Sequence, residues 1–244
     1  AWTHVAYSSD GTGNKFYING TVVAAADMTY TTGTSSTQAC PYHGSAPIIH
    51  IGENPLNNAT MDSPFDGKID EFAVYDRVLS DAEIKARHNA NAGREGAVAK
   101  LLVPQPVGWW HLNEATSGAV STNAGYVTDS SGNSNNGTYI NNPGASYVAG
   151  KLGGAIQFDG VNDYVSMGTT GRPTNTFTFE AWINPSATHE IDPEASSGTT
   201  GISGQKYAFD PQWRGGTTDP NQSGAGVSVG TNGISVYDHS DAYM

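Results

Sequence analysis

Apolar residues in this chain recur every second position, in short runs broken by Gly, Asn, Asp, Ser and Pro, and only one stretch has a helical period. Residues 3–8 and 15–24 read as strands joined by Ser9-Asp10-Gly11-Thr12-Gly13, with Asn19-Gly20 supplying the next reversal. A small, polar loop from 25 to 46 leads to a short apolar strand at 48–52, and a second loop spans 55–64. The run 67–75 alternates well, with Ile69, Phe72 and Val74 as core candidates and a break in the alternation at Glu71. Ser80-Asp81-Ala82-Glu83 is a capping box, and Leu79 with Ile84 forms the matching hydrophobic staple, so a helix is predicted over 81–89. Asn91-Ala92-Gly93 ends it.

Past a Gly- and Pro-punctuated connector at 93–106, strands are predicted at 108–113, 137–140, 155–158, 164–167 and 176–183. Asp129-Ser130-Ser131-Gly132-Asn133 is a tight Asx-type turn. After a polar loop come short strands at 206–209, 226–229 and 234–237. About a dozen strands with a single short helix predict an all-β, antiparallel two-sheet sandwich.

Composition agrees with that pattern. The 244 residues include 30 Gly and 12 Tyr, with only 14% charged residues, which suits strands and turns. The net charge of −12 makes phosphate backbones poor partners and excludes a nucleic-acid role, while cations and neutral polar ligands fit better. No apolar run approaches the ~18 residues that span a bilayer, and Ala1 opens no signal peptide, so no membrane insertion is expected. Cys40 is the only cysteine and forms no disulfide within the chain. Sequons begin at Asn19, Asn58, Asn136 and Asn221.

Several motifs together carry a resemblance. Gly108-Trp109-Trp110-His111-Leu112-Asn113-Glu114, Gly154-Ala155-Ile156-Gln157-Phe158-Asp159-Gly160 and Phe177-Thr178-Phe179-Glu180-Ala181-Trp182-Ile183 occur in the second half. Trp2-Thr3-His4-Val5, Tyr17-Ile18-Asn19-Gly20 and Asp66-Gly67, Asp70-Glu71, Leu79-Ser80 occur in the first. The chain resembles the laminin-G-like, concanavalin A-like lectin/glucanase jelly-roll superfamily, with the family's closing half placed before its opening half. The resemblance implies a jelly-roll sandwich made of a C-terminal-type half at 1–92, the connector at 93–106 and an N-terminal-type half at 107–244. In the family's order one more strand of about 5–6 residues would join Tyr243 to Trp2, and neither end supplies it. The halves then close on each other within the chain or, head to tail, on a neighbouring copy.

The resemblance also implies a calcium ion, with Asp70 as its carboxylate and Asn113 and Asp159 on the neighbouring segments; hard cations draw oxygens from several segments in this way. Taken singly, Asp159, Asp163 and Asp129 serve equally well as turn formers. For a glycan, Tyr207, Trp213, Asn232 and Tyr237 are the candidate contacts, because they lie in the variable Gly-rich region. Trp2, Trp110 and Trp182 alternate as core residues do.

Glu190-Ile191-Asp192-Pro193-Glu194 has the spacing of glucanase catalytic carboxylates. Pro193 breaks strand pairing there, and the motif falls in a loop. The seven His residues lack zinc-binding spacing. The expectation is a non-catalytic, extracellular or cell-surface module that binds a glycan or other surface ligand and is stabilised by calcium. A filament or multi-repeat stalk completed by neighbouring subunits is the alternative, and a glucanase-type glycoside hydrolase the third reading.

Overall fold

The computed structural model describes residues 1–10, 13–24, 27, 49–52, 64–90, 105–114, 118–119, 126–140, 146–167, 176–190, 204–211, 225–238 and 242–243. Cys40, the sequons at Asn58 and Asn221 and the connector up to residue 104 lie outside them.

Two antiparallel sheets stack face to face. The first contains β1 (Thr3–Ser9), β2 (Asn14–Ile18), β3 (Thr21–Val22), β5 (Asp66–Tyr75), β6 (Gly108–Trp110), β7 (Gly118–Ala119), β9 (Ser146–Ala149), β10 (Gly154–Asp159) and β12 (Phe177–Pro185). The second contains β4 (Ile49–Ile51), β8 (Thr138–Ile140), β11 (Tyr164–Ser166), β13 (Tyr207–Pro211), β14 (Ala225–Gly230), β15 (Gly233–Asp238) and β16 (Ala242–Tyr243). Their orders are β3-β2-β1-β12-β5-β10-β9-β7, with β6 also on β5, and β16-β15-β14-β13-β4-β11-β8. Alternating residues such as Val5, Ile69, Phe72, Val74, Ile156 and Phe179 meet Ile51, Val165, Phe209 and Val227 in one buried core between the sheets.

The two halves of the chain interleave. β1 runs against β12 from Thr3↔Ile183 to Ser9↔Phe177. β5 has β12 on one side; on the other, β10 covers Asp66–Ile69 and β6 covers Phe72–Val74. The ladder hydrogen bonds of β5 are therefore made inside one chain, and the edge facing β10 and β6 is open only at Asp70 and Glu71.

The predicted break at Glu71 is a β-bulge. Ala73 faces Glu180 and Asp70 faces Trp182, so Glu71 and Phe72 share the single residue Ala181. Glu71 adopts φ 56°, a left-handed conformation rare for a side chain of its size.

α1 (Asp81–Ala90) lies on the outer face of the first sheet. Its start follows the capping box: Ser80 N donates to Glu83 Oε2 at 2.7 Å, and Glu83 N donates to Ser80 Oγ at 3.3 Å. Leu79 and Ile84 bury against Ala6, Tyr17, Ala73 and Tyr75 in a second, smaller core. The Asn19-Gly20 turn, with φ 51° and 75°, fits under this helix because a Cβ at Gly20 would meet His88 Cβ at 2.9 Å.

Three differences from the sequence reading stand out. The strand expected over 108–113 stops at Trp110, because Leu112 turns to φ 58° and drives its side chain into the core. β9 was not expected, since Tyr147 is the one large residue it buries. β7 and β16 are two residues each and carry no alternation to read.

Candidate functional site

Polar side chains gather on the outer face of the first sheet, where β6 and β10 leave a gap along β5. Asp70 stands at that gap with no exposed surface. Its Oδ2 accepts the Lys151 and Leu152 amides, at 2.7 and 2.8 Å, from the turn between β9 and β10. Oδ1 has no hydrogen-bond partner among the described residues. Burial pushes the Asp70 pKa up to about 8; the Leu152 amide pulls it down and the neighbouring Glu71 charge pushes it up again. Gly150 lets the turn come this close, since a Cβ there would lie 2.3 Å from Gly154 O and 2.6 Å from Asp70 Oδ2.

The bulge aims Glu71 at β6. Its Oε2 accepts Trp109 Nε1–H at 2.8 Å, and its Oε1 lies 2.7 Å from His111 Nδ1. The two rings stand 4.4 Å apart at 53°. Asp129 fixes the backbone beneath them, its Oδ1 accepting Trp109 N at 2.9 Å while Trp109 O accepts Ser130 N at 2.7 Å.

Across the strands, His4, Trp182 and Asp70 form one row by register. The Lys151 ammonium sits 4.6 Å over the Trp182 ring, and the His4 and His88 rings lie 5.3 and 5.4 Å from it. One row further on, buried Glu180 pairs with Arg87 of α1 through Nε, accepts Tyr75 O–H at 3.2 Å and lies 3.5 Å from His4 Nε2. Burial raises the Glu180 pKa, but the Arg87 charge and the His4 contact outweigh it and hold the carboxyl at about 2.

Of the residues expected to hold a cation, Asp70 sits at the gap. Asn113 lies three residues past the end of β6, and the hydrogen bonds to Asp70 come instead from Lys151 and Leu152. Asp159 is not brought to them. It pairs with Asp66, four residues from Asp70 along β5, or about 13 Å at the usual strand rise. Its Oδ1 accepts Val161 N at 2.9 Å, which is the turn-forming role. Among the described residues no group of three or more His, Cys, Asp or Glu side chains is arranged around a metal position. An ion at Asp70 would therefore rely on amide and carbonyl oxygens beside the one carboxylate. The unpartnered Oδ1 fits that demand; Oδ2 is already taken up by the Lys151 and Leu152 amides.

Of the residues expected to contact a glycan, Tyr207 is fully buried, so its ring faces no ligand and its place is the interior. The Gly-rich surroundings of β13 concealed this. Asn232 is exposed at the β14–β15 turn, but its amide is engaged by the His189 backbone at 3.0 and 2.9 Å. Trp213 and the side chain of Tyr237 lie outside the described residues. Glu190 is paired through its backbone with Gly204 and Gln205 at a loop base; Asp192 and Glu194 lie outside the described residues. Glu71, Trp109, His111 and Lys151 were not anticipated as site residues; the break in alternation at Glu71 and the Gly108–Glu114 motif were the signals that pointed towards the first three.

Residues 1–85 match the family model of the concanavalin A-like lectin/glucanases superfamily. The matched segment carries β1 to β5 and, within it, Asp70 and Glu71. It is compatible with carbohydrate binding, and the antiparallel sandwich around it is consistent with that superfamily. No curated protein and no solved structure matches the chain significantly. No helix among the described residues is long and apolar enough to cross a membrane.

Proposed function

We propose that the chain is a non-catalytic, extracellular carbohydrate-binding or adhesion module stabilised by calcium. The observation that carries the reading is Asp70. It is a fully buried carboxylate within the segment that matches the lectin/glucanase superfamily, and one of its oxygens has no hydrogen-bond partner among the described residues. Burial disfavours the charged form of this carboxyl, and a hard cation at the open oxygen is a partner that would stabilise it. Asp70 Oδ1 and the Asn113 amide oxygen would hold the ion; calcium would supply positive charge that locks the β9–β10 turn to β5.

Absence of catalysis is part of the proposal. The Glu190 motif leaves β12 before it begins, and a retaining pair needs two carboxyl groups about 5–5.5 Å apart on a rigid element. Glu180, the buried carboxylate of β12, is engaged by Arg87 and held too acidic for proton transfer near neutrality. A glycan array probed with and without calcium tests the reading. Binding to one glycan class, weakened by chelation, is expected; a blank array in both conditions overturns it.

A further inference from the structure

We propose that Trp109 and His111, both held by the Glu71 carboxylate, form the contact platform for a neutral pyranose unit on the outer face of the first sheet. The inference rests on the carbohydrate-binding reading and names the residues and the sugar class.

From Trp109 to Leu112 the side chains divide between two faces. Trp110 and Leu112 enter the core between the sheets, while Trp109 and His111 turn outward. Trp109 is half-buried against the small core under α1, and the His111 side chain remains 31% exposed. Trp110 and Trp182 are each only 3% exposed and have no ring face to offer.

Packing against the small core explains one face of the Trp109 ring but not its rotation in plane. That rotation is fixed by Glu71, whose two oxygens are divided between Trp109 Nε1 and His111 Nδ1. Glu71 reaches both rings because the bulge takes it out of the ordinary alternation, at the cost of a left-handed φ. Such strain gathers where a side chain has to be re-aimed. Rings fixed in advance lose little freedom on binding.

A pyranose presents a C–H face and a rim of hydroxyl groups, so its receptor needs an aromatic surface with hydrogen-bonding groups at the edge. Trp109, half-buried, supplies that surface on the part of the ring that the small core and His111 leave uncovered. The His111 imidazole supplies the polar edge, and Glu71, only 4% exposed, acts behind it by holding both rings. Glu71 and Asp129 place carboxylates in this region, and the chain carries −12 overall, so acidic sugars are disfavoured.

The test is tryptophan fluorescence with cellohexaose and laminarihexaose as neutral probes, alongside an array of neutral glycans and sialyllactose as the acidic control. Wild type should bind a neutral probe or neutral array glycan, and Trp109→Phe and His111→Ala should each weaken that binding at least tenfold while melting within a few degrees of wild type. If a variant does not fold, the indole N–H signals of the wild-type protein decide the matter. The Trp109 signal should shift with the bound neutral sugar while those of Trp110 and Trp182 stay. Unchanged affinity in both variants, or a still Trp109 signal, overturns the platform and leaves the carbohydrate reading standing. Binding of sialyllactose alone overturns the neutral class. No binding of any sugar by wild type overturns both.

Discussion

Glu180 illustrates how one buried charge ties three elements together. It lies on β12 and reaches Arg87 on α1, Tyr75 on β5 and His4 on β1. Its pKa is held near 2, below the ordinary 4.5, so its contribution to stability is complete above 4.5 and is lost as pH falls through 2. Glu180→Gln leaves Arg87 buried without its counter-charge and is expected to destabilise the fold by about 3–5 kcal/mol at pH 7. The gap between variant and wild type should narrow towards pH 2; urea unfolding across that range measures it, and a constant gap would contradict the assignment. Some of this chemistry was legible in the sequence. Asp70 stood out as a charge on a core-lining strand, and Glu71 as a break in alternation. The distance between Asp70 and Asp159 was not legible, because it depends on the register of β10 against β5, set by contacts far apart in the chain. Nor was the burial of Tyr207, since neighbouring glycines give no periodicity by which to assign its face.

At the scale of elements, α1 was readable to within a residue because caps and staples are local chemistry. Arg77 extends the box, donating to Glu83 Oε1 at 2.7 Å and Oε2 at 3.1 Å, and with this side chain only part-exposed the Glu83 pKa falls to about 2 even against its burial. Ser80→Ala removes the cap and should cost about 1 kcal/mol, lowering the melting temperature by roughly 2–4 °C for a domain of this size. Differential scanning calorimetry reads it, and an unshifted melt would mean that docking through Leu79 and Ile84 alone holds the helix. The short strands β7, β9 and β16 escaped notice for the opposite reason. Their partners define them, and two to four residues carry too little pattern to declare a strand.

At the scale of the whole molecule, β5 lies between strands of the other half, so a single chain closes its own sandwich. Light scattering after size exclusion should give the monomer mass of 25.5 kDa at every loading concentration. Concentration-dependent oligomers would favour exchange of halves between copies. What closure does not provide among the described residues is a hydrogen-bond partner for Asp70 Oδ1, and the calcium proposal turns on that point. At a calcium concentration 100-fold above the dissociation constant, binding to the folded state alone adds about 2.7 kcal/mol, or a rise in melting temperature of roughly 5–10 °C. Calorimetric titration of calcium into wild type and Asp70→Asn is the most direct measurement. One site per chain in wild type, absent from the variant while its fold persists, is the predicted result; no calcium heat in wild type, or an undiminished site in Asp70→Asn, would contradict the account.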